Sequence, residues 1–303
     1  MKTKTAHLAA ALALLATLAG APSRALAAPL DMVSCYDAAR DMVTLKRRDA
    51  CRGQVVGPQE ADAIRARRRE QVRRSMQPAA GAPAPGYRLA SLGTGFFVST
   101  DGAVVTNNHV VDGCGAITVA PHDGARIAAV RAGRDTINDL ALLRTTGPAP
   151  AVAAFLDGEK APRQGMVAIV GFPNHGLAPI IPMLTPGRII DIGALGDGSR
   201  IRLKAPVRPG NSGGPVLDRA GRVLGIISSQ ADTVRIYAAT GIAVRDIGNA
   251  IALGPLTRFL ARHAITPRRA KAAVSTGVSH DDDSLLAAAV RYIVRVGCWR
   301  QTR

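Results

Sequence analysis

Three short motifs place a histidine, an acid and a serine in contexts that suit nucleophilic catalysis. His109 ends an apolar run, Asp139 directly precedes another, and Ser212 is flanked by glycines. In such a set an imidazole removes the hydroxyl proton, a carboxylate orients the imidazole, and glycine-rich backbone lets amide groups converge on an oxyanion. Each motif alone also fits a structural histidine, a buried capping acid or a tight loop, but all three in the order His, Asp, Ser favour catalysis. The motifs are TNNHVV (106–111), NDLALL (138–143) and PGNSGGP (209–215).

The elements that position these motifs are short apolar runs separated by Gly, Pro and Asp-Gly turn signals. This texture begins near residue 87 and predicts many short strands, hence an all-β barrel or sandwich. A closing helix is expected over 255–264, a loop over 268–283 and a final strand over 289–299. The predicted strands are 93–98, 103–106, 116–120, 127–130, 140–143, 166–170, 187–192, 201–204, 216–217, 223–228 and 236–244.

With GTGF at 93–96, the motifs resemble the chymotrypsin-fold, trypsin-like serine proteases, and most closely the HtrA-type bacterial envelope proteases. The resemblance covers roughly 87–266 and implies two six-stranded antiparallel β-barrels with the site in the crevice between them. It implies that Ser212 is the nucleophile, that His109 is general base and then general acid, and that Asp139 orients the imidazole. It also implies an oxyanion hole from the amides of Gly210 and Ser212, a polypeptide substrate, and no metal or cofactor.

Two departures from the HtrA pattern shape the expected organisation. Only 37 residues follow Thr266, too few for a peptide-binding PDZ domain of the HtrA type, and the VGFP segment at 170–173 differs from the usual pattern. The expectation is therefore a stand-alone trypsin-like peptidase with an N-terminal extension and a cysteine-tethered tail over 267–303. No Ile-Val-Gly-Gly sequence precedes the first barrel, so activity is expected without cleavage of a pro-segment.

Four residues are candidates for substrate binding on the strength of the resemblance. Pro206 lies six residues before Ser212, at the base of the family's primary pocket, where an acid would favour Lys or Arg. Ile242 and Ala243 resemble the strand that walls this pocket, and Ser228 lies in the segment that would pair with substrate backbone. Small apolar walls predict a preference for small aliphatic side chains before the scissile bond.

The N-terminal third divides into three expected pieces. Residues 1–27 have a Lys-containing start, a short apolar stretch and an Ala25-Leu26-Ala27 end, which indicates a cleaved secretory signal rather than an uncleaved anchor. Residues 28–77 are expected to form a basic helical extension, and 78–86 a Pro/Ala/Gly linker. The extension's helix carries Arg65, Arg67, Arg68, Arg69, Arg73 and Arg74 and is either a solvated face or a contact for an anionic envelope surface.

The four cysteines agree with export from the cytoplasm. An even count in an exported chain suggests two disulfides, and four cysteines allow three pairings. The sequence proximity of Cys35 and Cys51 favours that pair and leaves Cys114 with Cys298, while unpaired buried thiols remain the alternative. No CxxC motif or Cys/His cluster suggests zinc.

Charge and composition limit the partners. The chain has a net charge of +17, which falls by three when Lys2, Lys4 and Arg24 leave with the signal. Aromatic residues make up 3%, so nucleic-acid modules that stack bases on exposed rings are not expected. The sequence therefore predicts an exported serine endopeptidase, periplasmic or extracellular. Two rivals remain: a catalytically silent protease fold that binds ligands, and a basic surface-adhesion protein.

Overall fold

The structure is a computed structural model that describes most of the chain. The expected signal segment lies outside the described residues, and so does the expected linker except for its last residue. The described residues are 31–38, 42–76, 86–122, 126–158, 162–173, 181–192, 198–230, 238, 241, 243, 245–271 and 281–302.

The extension before the linker is part sheet and part helix, which corrects the expectation of a helical segment over 28–77. β1 (Met32–Asp37) pairs antiparallel with β2 (Met42–Arg47) and β3 (Gln54–Val56), and α1 (Pro58–Met76) follows. The first two strands are rich in Val, Thr and Tyr, which suit a pleated sheet better than a helix. A disulfide joins Cys35 to Cys51, the pairing that the sequence favours.

The helix of the extension covers this small sheet. α1 contacts β1 and β2, and its Ala61 and Ile64 are buried together with Val33 and Val56. These few apolar residues and the disulfide form a core of their own within residues 31–76.

The first barrel is closed and has six antiparallel strands. Five come from the middle of the chain, and the sixth is the last strand of the protein, β17, which lies between β4 and β6. The order around the barrel is β17 (Ile293–Gln301), β4 (Tyr87–Phe97), β5 (Ala103–Thr106), β8 (Leu140–Thr145), β7 (Ile127–Asp135) and β6 (Ala116–Pro121).

This closure corrects the domain boundary expected from the sequence. The unit expected over 87–266 lacks β17, so it has only five strands of the first barrel, and the segment assigned to a tail is a structural part of that barrel. A disulfide between Cys114 and Cys298 and a hydrogen bond from Trp299 Nε1 to Thr118 Oγ1 (2.9 Å) fasten β17 to β6 and the turn before it.

The second barrel is built from consecutive strands and is also closed. The pairing of β13 with β14 completes a ring of six antiparallel strands, and β9 (Phe155–Leu156) and β16 (Arg269–Ala270) add parallel pairings outside it. The prediction of two six-stranded antiparallel barrels is thereby confirmed. The ring is β10 (Gly165–Gly171), β11 (Met183–Ile192), β12 (Arg200–Lys204), β15 (Ile247–Ala252), β14 (Val223–Gln230) and β13 (Pro215–Leu217).

One strand of this ring differs from the expectation. β15 was not predicted, because Gly248 and Asn249 interrupt its apolar pattern. Six of the nine residues of the strand expected over 236–244 lie outside the described residues. A Cβ on Gly248 would lie 2.5 Å from the Val207 side chain, so close packing explains the glycine.

The described part of the two-barrel unit also includes three short helices: α2 (Asn108–Val111), α3 (Leu253–Arg262) and α4 (Asp282–Ala289). α3 is the expected closing helix and begins two residues early, whereas α4 lies at the end of the expected loop. Phe96, Phe155 and Phe259 belong to one buried cluster that extends from the first barrel through the second to α3 and α4. None of the helices seen in the described residues has the length and apolar character needed to span a membrane.

Candidate active site

The strand pairing of the first barrel brings His109 and Asp139 together. β5 ends at Thr106 and leads directly into α2, which carries His109, while Asp139 immediately precedes β8. Thr106 pairs with Ala141 in the β5–β8 ladder, so the end of one strand and the start of the other meet at the same edge. The carboxylate Oδ2 of Asp139 lies 2.7 Å from Nδ1 of His109.

The carboxylate of Asp139 accepts three hydrogen bonds. The His109 backbone N–H donates to Oδ1 (2.9 Å), while His109 Nδ1 and the Ser228 hydroxyl (3.0 Å) donate to Oδ2. An ionised carboxylate can only accept, so the proton of a neutral imidazole lies on Nδ1. Nε2 then remains an acceptor, which is the state that a general base requires.

The same bonds keep Asp139 ionised in a largely buried position. Burial by itself raises the pKa of this carboxyl, but the hydrogen bonds and charge of His109, with the bond from Ser228, hold its pKa below the ordinary value. The side chain of Asp139 is 23% exposed, and that of His109 is 50% exposed. The pair therefore combines a shielded acid with an imidazole open to the solvent side.

The backbone at Asp139 is held in an unusual conformation. Its φ is +55°, a left-handed value that few non-glycine residues adopt. Its carbonyl oxygen accepts from Asn107 Nδ2 (2.9 Å) and from the backbone N–H of Asn108 (3.1 Å). The residues before His109 thus hold the backbone of the acid as well as its carboxylate.

Ser212 lies in the second barrel, in the loop between β12 and β13. Gly213 has φ +86°, and a Cβ there would lie 2.0 Å from the Thr94 carbonyl oxygen. A Cβ on Gly214 would lie 2.5 Å from the carbonyl oxygen of Val170. The glycines after the serine are therefore required by close backbone contacts with β4 and β10.

Ser228 connects the serine to the acid. The hydroxyl of Ser212 donates to the carbonyl oxygen of Ser228 at 3.0 Å, and the hydroxyl of Ser228 donates to Asp139. His109, Asp139, Ser228 and Ser212 therefore form one continuous chain of contacts across the crevice. In this arrangement the Ser212 hydroxyl proton is directed to the Ser228 carbonyl oxygen.

The amide groups around Ser212 alternate between bonded and open. The N–H groups of Asn211, Gly213 and Gly214 donate to backbone oxygens at 2.9–3.0 Å. Among the residues that the structure describes, the N–H groups of Gly210 and Ser212 have no acceptor. Gly210 has φ +93°, so the loop adopts a conformation that suits glycine at this point.

Thr94 of β4 joins the two barrels at this loop. Its side chain is fully buried, and its hydroxyl donates to the Gly210 carbonyl (2.6 Å) and accepts from the Phe172 N–H (3.0 Å). Its backbone N–H donates to the Ser212 carbonyl (2.8 Å), and its carbonyl accepts from the Thr106 hydroxyl (2.6 Å). The first barrel thus contacts both residues whose amides are open.

The candidate specificity residues differ in their surroundings. Pro206 and Ala243 are exposed, and Ile242 lies outside the described residues. Ser228, assigned to substrate binding from the sequence, has its hydroxyl on Asp139 and its carbonyl on Ser212. Its side chain therefore supports the acid.

The region that carries the three motifs is similar to a known protein family. Residues 93–226, which include all three motifs, match a family model described as the trypsin-like peptidase domain. The matched residues lie in both barrels, and β17 of the first barrel is outside the match.

The similarity to known proteins covers only part of each longer relative. A Sinorhizobium fredii protein described as "Uncharacterized protein y4bJ" is 36% identical over 179 residues, which are 59% of this chain and 28% of that protein. The Brucella suis protein described as "Probable periplasmic serine endoprotease DegP-like" is 34% identical over 218 residues, 69% of this chain and 42% of that one. This chain thus spans less than half the length of either relative. The solved structure of the serine endoprotease from Yersinia pestis gives a TM-score of 0.49 at 25% identity, covering 64% of this chain and 65% of that one.

Sequence reasoning missed several residues of the candidate site. Thr94 lies within the quoted GTGF motif, but nothing in a single threonine indicates four contacts across two barrels. The hydroxyl of Ser228 is separated from Asp139 by 89 residues, so its contact depends on how the barrels meet. The available signal was a polar residue beside an apolar run within a strand: Thr94 lies in β4 and Ser228 in β14.

Proposed function

We propose that this protein is a serine endopeptidase that cleaves peptide bonds through an acyl-enzyme. The observation that carries the proposal is the continuous set of contacts from His109 through Asp139 and Ser228 to Ser212. The trypsin-like domain match and the names of the relatives support the same activity.

In this mechanism Ser212 Oγ forms a bond to the scissile carbonyl carbon while His109 Nε2 takes the hydroxyl proton. The positive charge that develops on the imidazole is stabilised by Asp139, which accepts from Nδ1. The carbonyl oxygen becomes an oxyanion beside the open N–H groups of Gly210 and Ser212. His109 then gives its proton to the leaving amine as the carbon–nitrogen bond breaks, and water repeats the sequence on the ester.

Labelling with a fluorophosphonate probe tests this activity directly. Wild-type protein is expected to be labelled and to cleave unfolded casein, whereas Ser212→Ala should lose labelling and at least about a thousandfold in rate. Ser99→Ala, which changes a half-buried serine in the turn after β4, is the matched control. Folded wild-type protein that neither reacts nor cleaves would favour the rival of a silent, ligand-binding protease fold.

For specificity, the proposal is a preference for small aliphatic side chains before the scissile bond, with Pro206, Ile242 and Ala243 contributing to the pocket. Beside this position, the backbone N–H of Ala205 donates to the carbonyl of Asp246 (2.7 Å), whose side chain is exposed. A mixed peptide library with wild type and Asp246→Asn separates the possibilities. Cleavage after Ala or Val in both supports the proposal, and cleavage after Lys or Arg that Asp246→Asn abolishes contradicts it.

For location, the proposal is export, with removal of residues 1–27. The supporting observations are the signal-like sequence, the two disulfides, and the word periplasmic in the relative's description. Cell fractionation with N-terminal sequencing should find mature protein beginning at Ala28 outside the cytoplasm. Protein retained in the cytoplasm with Met1 intact would contradict this.

A second candidate function is attachment to an anionic envelope surface through α1. Arg67 and Arg69 are exposed on this helix, and Arg65 is half-buried beside Asp62. Flotation with phosphatidylglycerol vesicles tests it, using Arg65→Gln, Arg67→Gln and Arg69→Gln together. The control is the equally charged triple variant Arg88→Gln, Arg202→Gln and Arg258→Gln. Salt-sensitive flotation lost only in the α1 variant supports attachment, and equal loss in both triples indicates net charge alone.

A further inference from the structure

The turn that carries Asp139 is organised by a second, nearly buried carboxylate. Asp135 ends β7, its side chain is 9% exposed, and its two oxygens accept from the backbone N–H and the side-chain Nδ2 of Asn138, both at 2.9 Å. Arg262 Nη2 donates to the same carboxylate at 2.6 Å. Asp135 thus joins the turn to the last residue of α3.

A second arginine holds the same turn from the other barrel. Arg200, the first residue of β12, donates from Nη2 to the Ile137 carbonyl (3.2 Å) and from Nη1 to the Asn138 carbonyl (3.5 Å). Both arginines therefore extend from the second-barrel side to the turn before Asp139: Arg200 contacts its backbone carbonyls, and Arg262 contacts the carboxylate of Asp135.

The end of α3 also lies directly on the first barrel. A Cβ added to Gly133 of β7 would lie 2.2 Å from Cε1 of His263, the residue after Arg262. The Arg262 contact is therefore part of a close packing arrangement, and does not depend on a long side chain reaching across solvent.

Hydrogen bonds, and not apolar burial, define the conformation of this turn. Ile137 is 86% exposed, so its side chain adds almost no packing. The next residue but one, Asp139, has a positive φ, which persists only where surrounding contacts determine it. Burial raises the pKa of Asp135, but the bonds from Asn138 and Arg262 lower it below the ordinary value, so the carboxylate is ionised at neutral pH.

We propose that Arg200 and Arg262 are positioning residues that align Asp139 with His109 from the second barrel. Packing of the two barrels against each other then fixes the orientation of Asp139, and it also brings Ser212 to the side of His109. This inference rests on the proposed peptidase function, because it assigns a role to the residues that hold the triad acid. The residues act through the turn, and neither touches the reacting atoms.

Replacement of these arginines is expected to affect catalysis more than folding. Arg262 is 58% exposed, and an ion pair with so exposed a partner contributes little to the free energy of unfolding. A small displacement of a catalytic group, in contrast, costs up to about a hundredfold in rate. Activity and stability should therefore respond differently.

The test compares Arg262→Gln, Arg200→Gln and the double variant with wild type. Arg258→Gln is the matched control, since it is an exposed arginine one turn earlier on α3. For a peptide substrate we expect kcat to fall about tenfold in the single variants and about a hundredfold in the double variant, with KM unchanged. Arg262→Lys, which keeps a donor at this position, should recover part of the loss.

The proton between His109 Nδ1 and Asp139 gives a readout that needs no turnover. Its downfield ¹H NMR signal should weaken in Arg262→Gln and be lost in the double variant, while Arg258→Gln keeps it. A folded double variant with wild-type kcat and an unchanged signal overturns the proposal, as does equal loss in Arg258→Gln. If the double variant does not fold, Asn138→Ala replaces it, with the same expected loss and the same overturning result.

Failure of the proposed function is recognised separately. Wild-type protein that reacts with no fluorophosphonate contradicts the peptidase assignment. The NMR signal still decides in that case whether the two arginines align Asp139 with His109.

Discussion

The two barrels differ in how the chain builds them, although both have six antiparallel strands. The second barrel uses consecutive strands from Gly165 to Ala252, and its loop presents Ser212. The first uses five consecutive strands and then β17 from the other end of the chain, and it presents His109 and Asp139. The second barrel closes through neighbouring segments, whereas closure of the first barrel requires a strand from the far end of the chain.

This difference gives the C-terminal strand a part in supporting the candidate active site from a distance. β17 contributes Val294 and Val296, both fully buried, to the interior cluster that also contains Val110 and Leu143. Val110 follows His109 directly in α2. The strand therefore supports the short helix that carries His109, although none of the described hydrogen bonds joins it to His109, Asp139 or Ser212.

Removal of β17 should have the largest effect. A chain that ends at Ala289 leaves the edges of β4 and β6 unpaired and exposes the interior of the first barrel. We expect no measurable peptidase activity and a large loss of soluble protein. A synthetic peptide of residues 290–303, added during refolding, should restore part of the activity. Full activity of the truncated chain would show that the first barrel closes without this strand.

A single substitution in the second barrel tests the loop between β12 and β13, which carries Ser212. Gly213→Ala introduces a Cβ 2.0 Å from the Thr94 carbonyl at a positive φ, so the loop must move away from β4. We expect kcat to fall by about a hundredfold or more, because the amides beside Ser212 move with the loop.

Gly147→Ala is the control for this backbone conformation. Gly147 has φ +97° but nothing within 4 Å of the added Cβ, so only the strain of about 1 kcal/mol remains. Equal losses in the two variants would show that strain, and not the contact between barrels, governs the loop.

The two disulfides lie in different units, one in the first barrel and one in the extension, so they can be tested separately. Cys114 and Cys298 are 184 residues apart, for which the loop-entropy relation gives about 5 kcal/mol, whereas the 16-residue separation of Cys35 and Cys51 gives about 3 kcal/mol. Replacing Cys114 and Cys298 by Ser should lower the denaturant midpoint for loss of peptidase activity. The same change at Cys35 and Cys51 should leave that midpoint unaltered, and a matching decrease would indicate that the extension stabilises the barrels.

The pH dependence of stability should show the smallest effect. The pKa of Asp139 is lower in the folded protein than the ordinary value of 3.8, so the unfolded chain binds more protons as the pH falls. The associated stability is present above about pH 4 and is lost as the pH falls through the folded pKa. Urea unfolding between pH 2 and 6 should therefore show a shallower pH dependence for Asp139→Asn than for wild type, and identical slopes would contradict the assigned direction.

Sequence patterns predicted the strands that have clean apolar runs. NDLALL and AVVT correspond to β8 and β5, whose side chains are nearly all buried. The pattern failed where local composition competes with tertiary contacts: β15 contains Gly248 and Asn249, and the extension was predicted to be helical before α1. In both regions pairing with neighbouring strands decides the structure, and single-segment periodicity does not report pairing.

The residues of the candidate site were predicted as incompletely as the strands. The motif residues His109, Asp139 and Ser212 stand out by type and local context, whereas Thr94, Arg200 and Arg262 have no local signature. Their contacts join segments separated by up to 127 residues in sequence. Such contacts depend on the mutual placement of two barrels.

By itself the sequence determined the residue types that can perform acyl transfer, the turn glycines beside the serine and the alternation of short strands. These are local properties, since spacing and side-chain chemistry are read within a few residues. Only the tertiary structure decided that the last strand closes the first barrel. It also decided that Arg200 and Arg262, on the side of the second barrel, contact the turn before Asp139. Closure of a barrel and alignment of a carboxylate are relations between distant segments, and their free energy arises only when those segments are packed together.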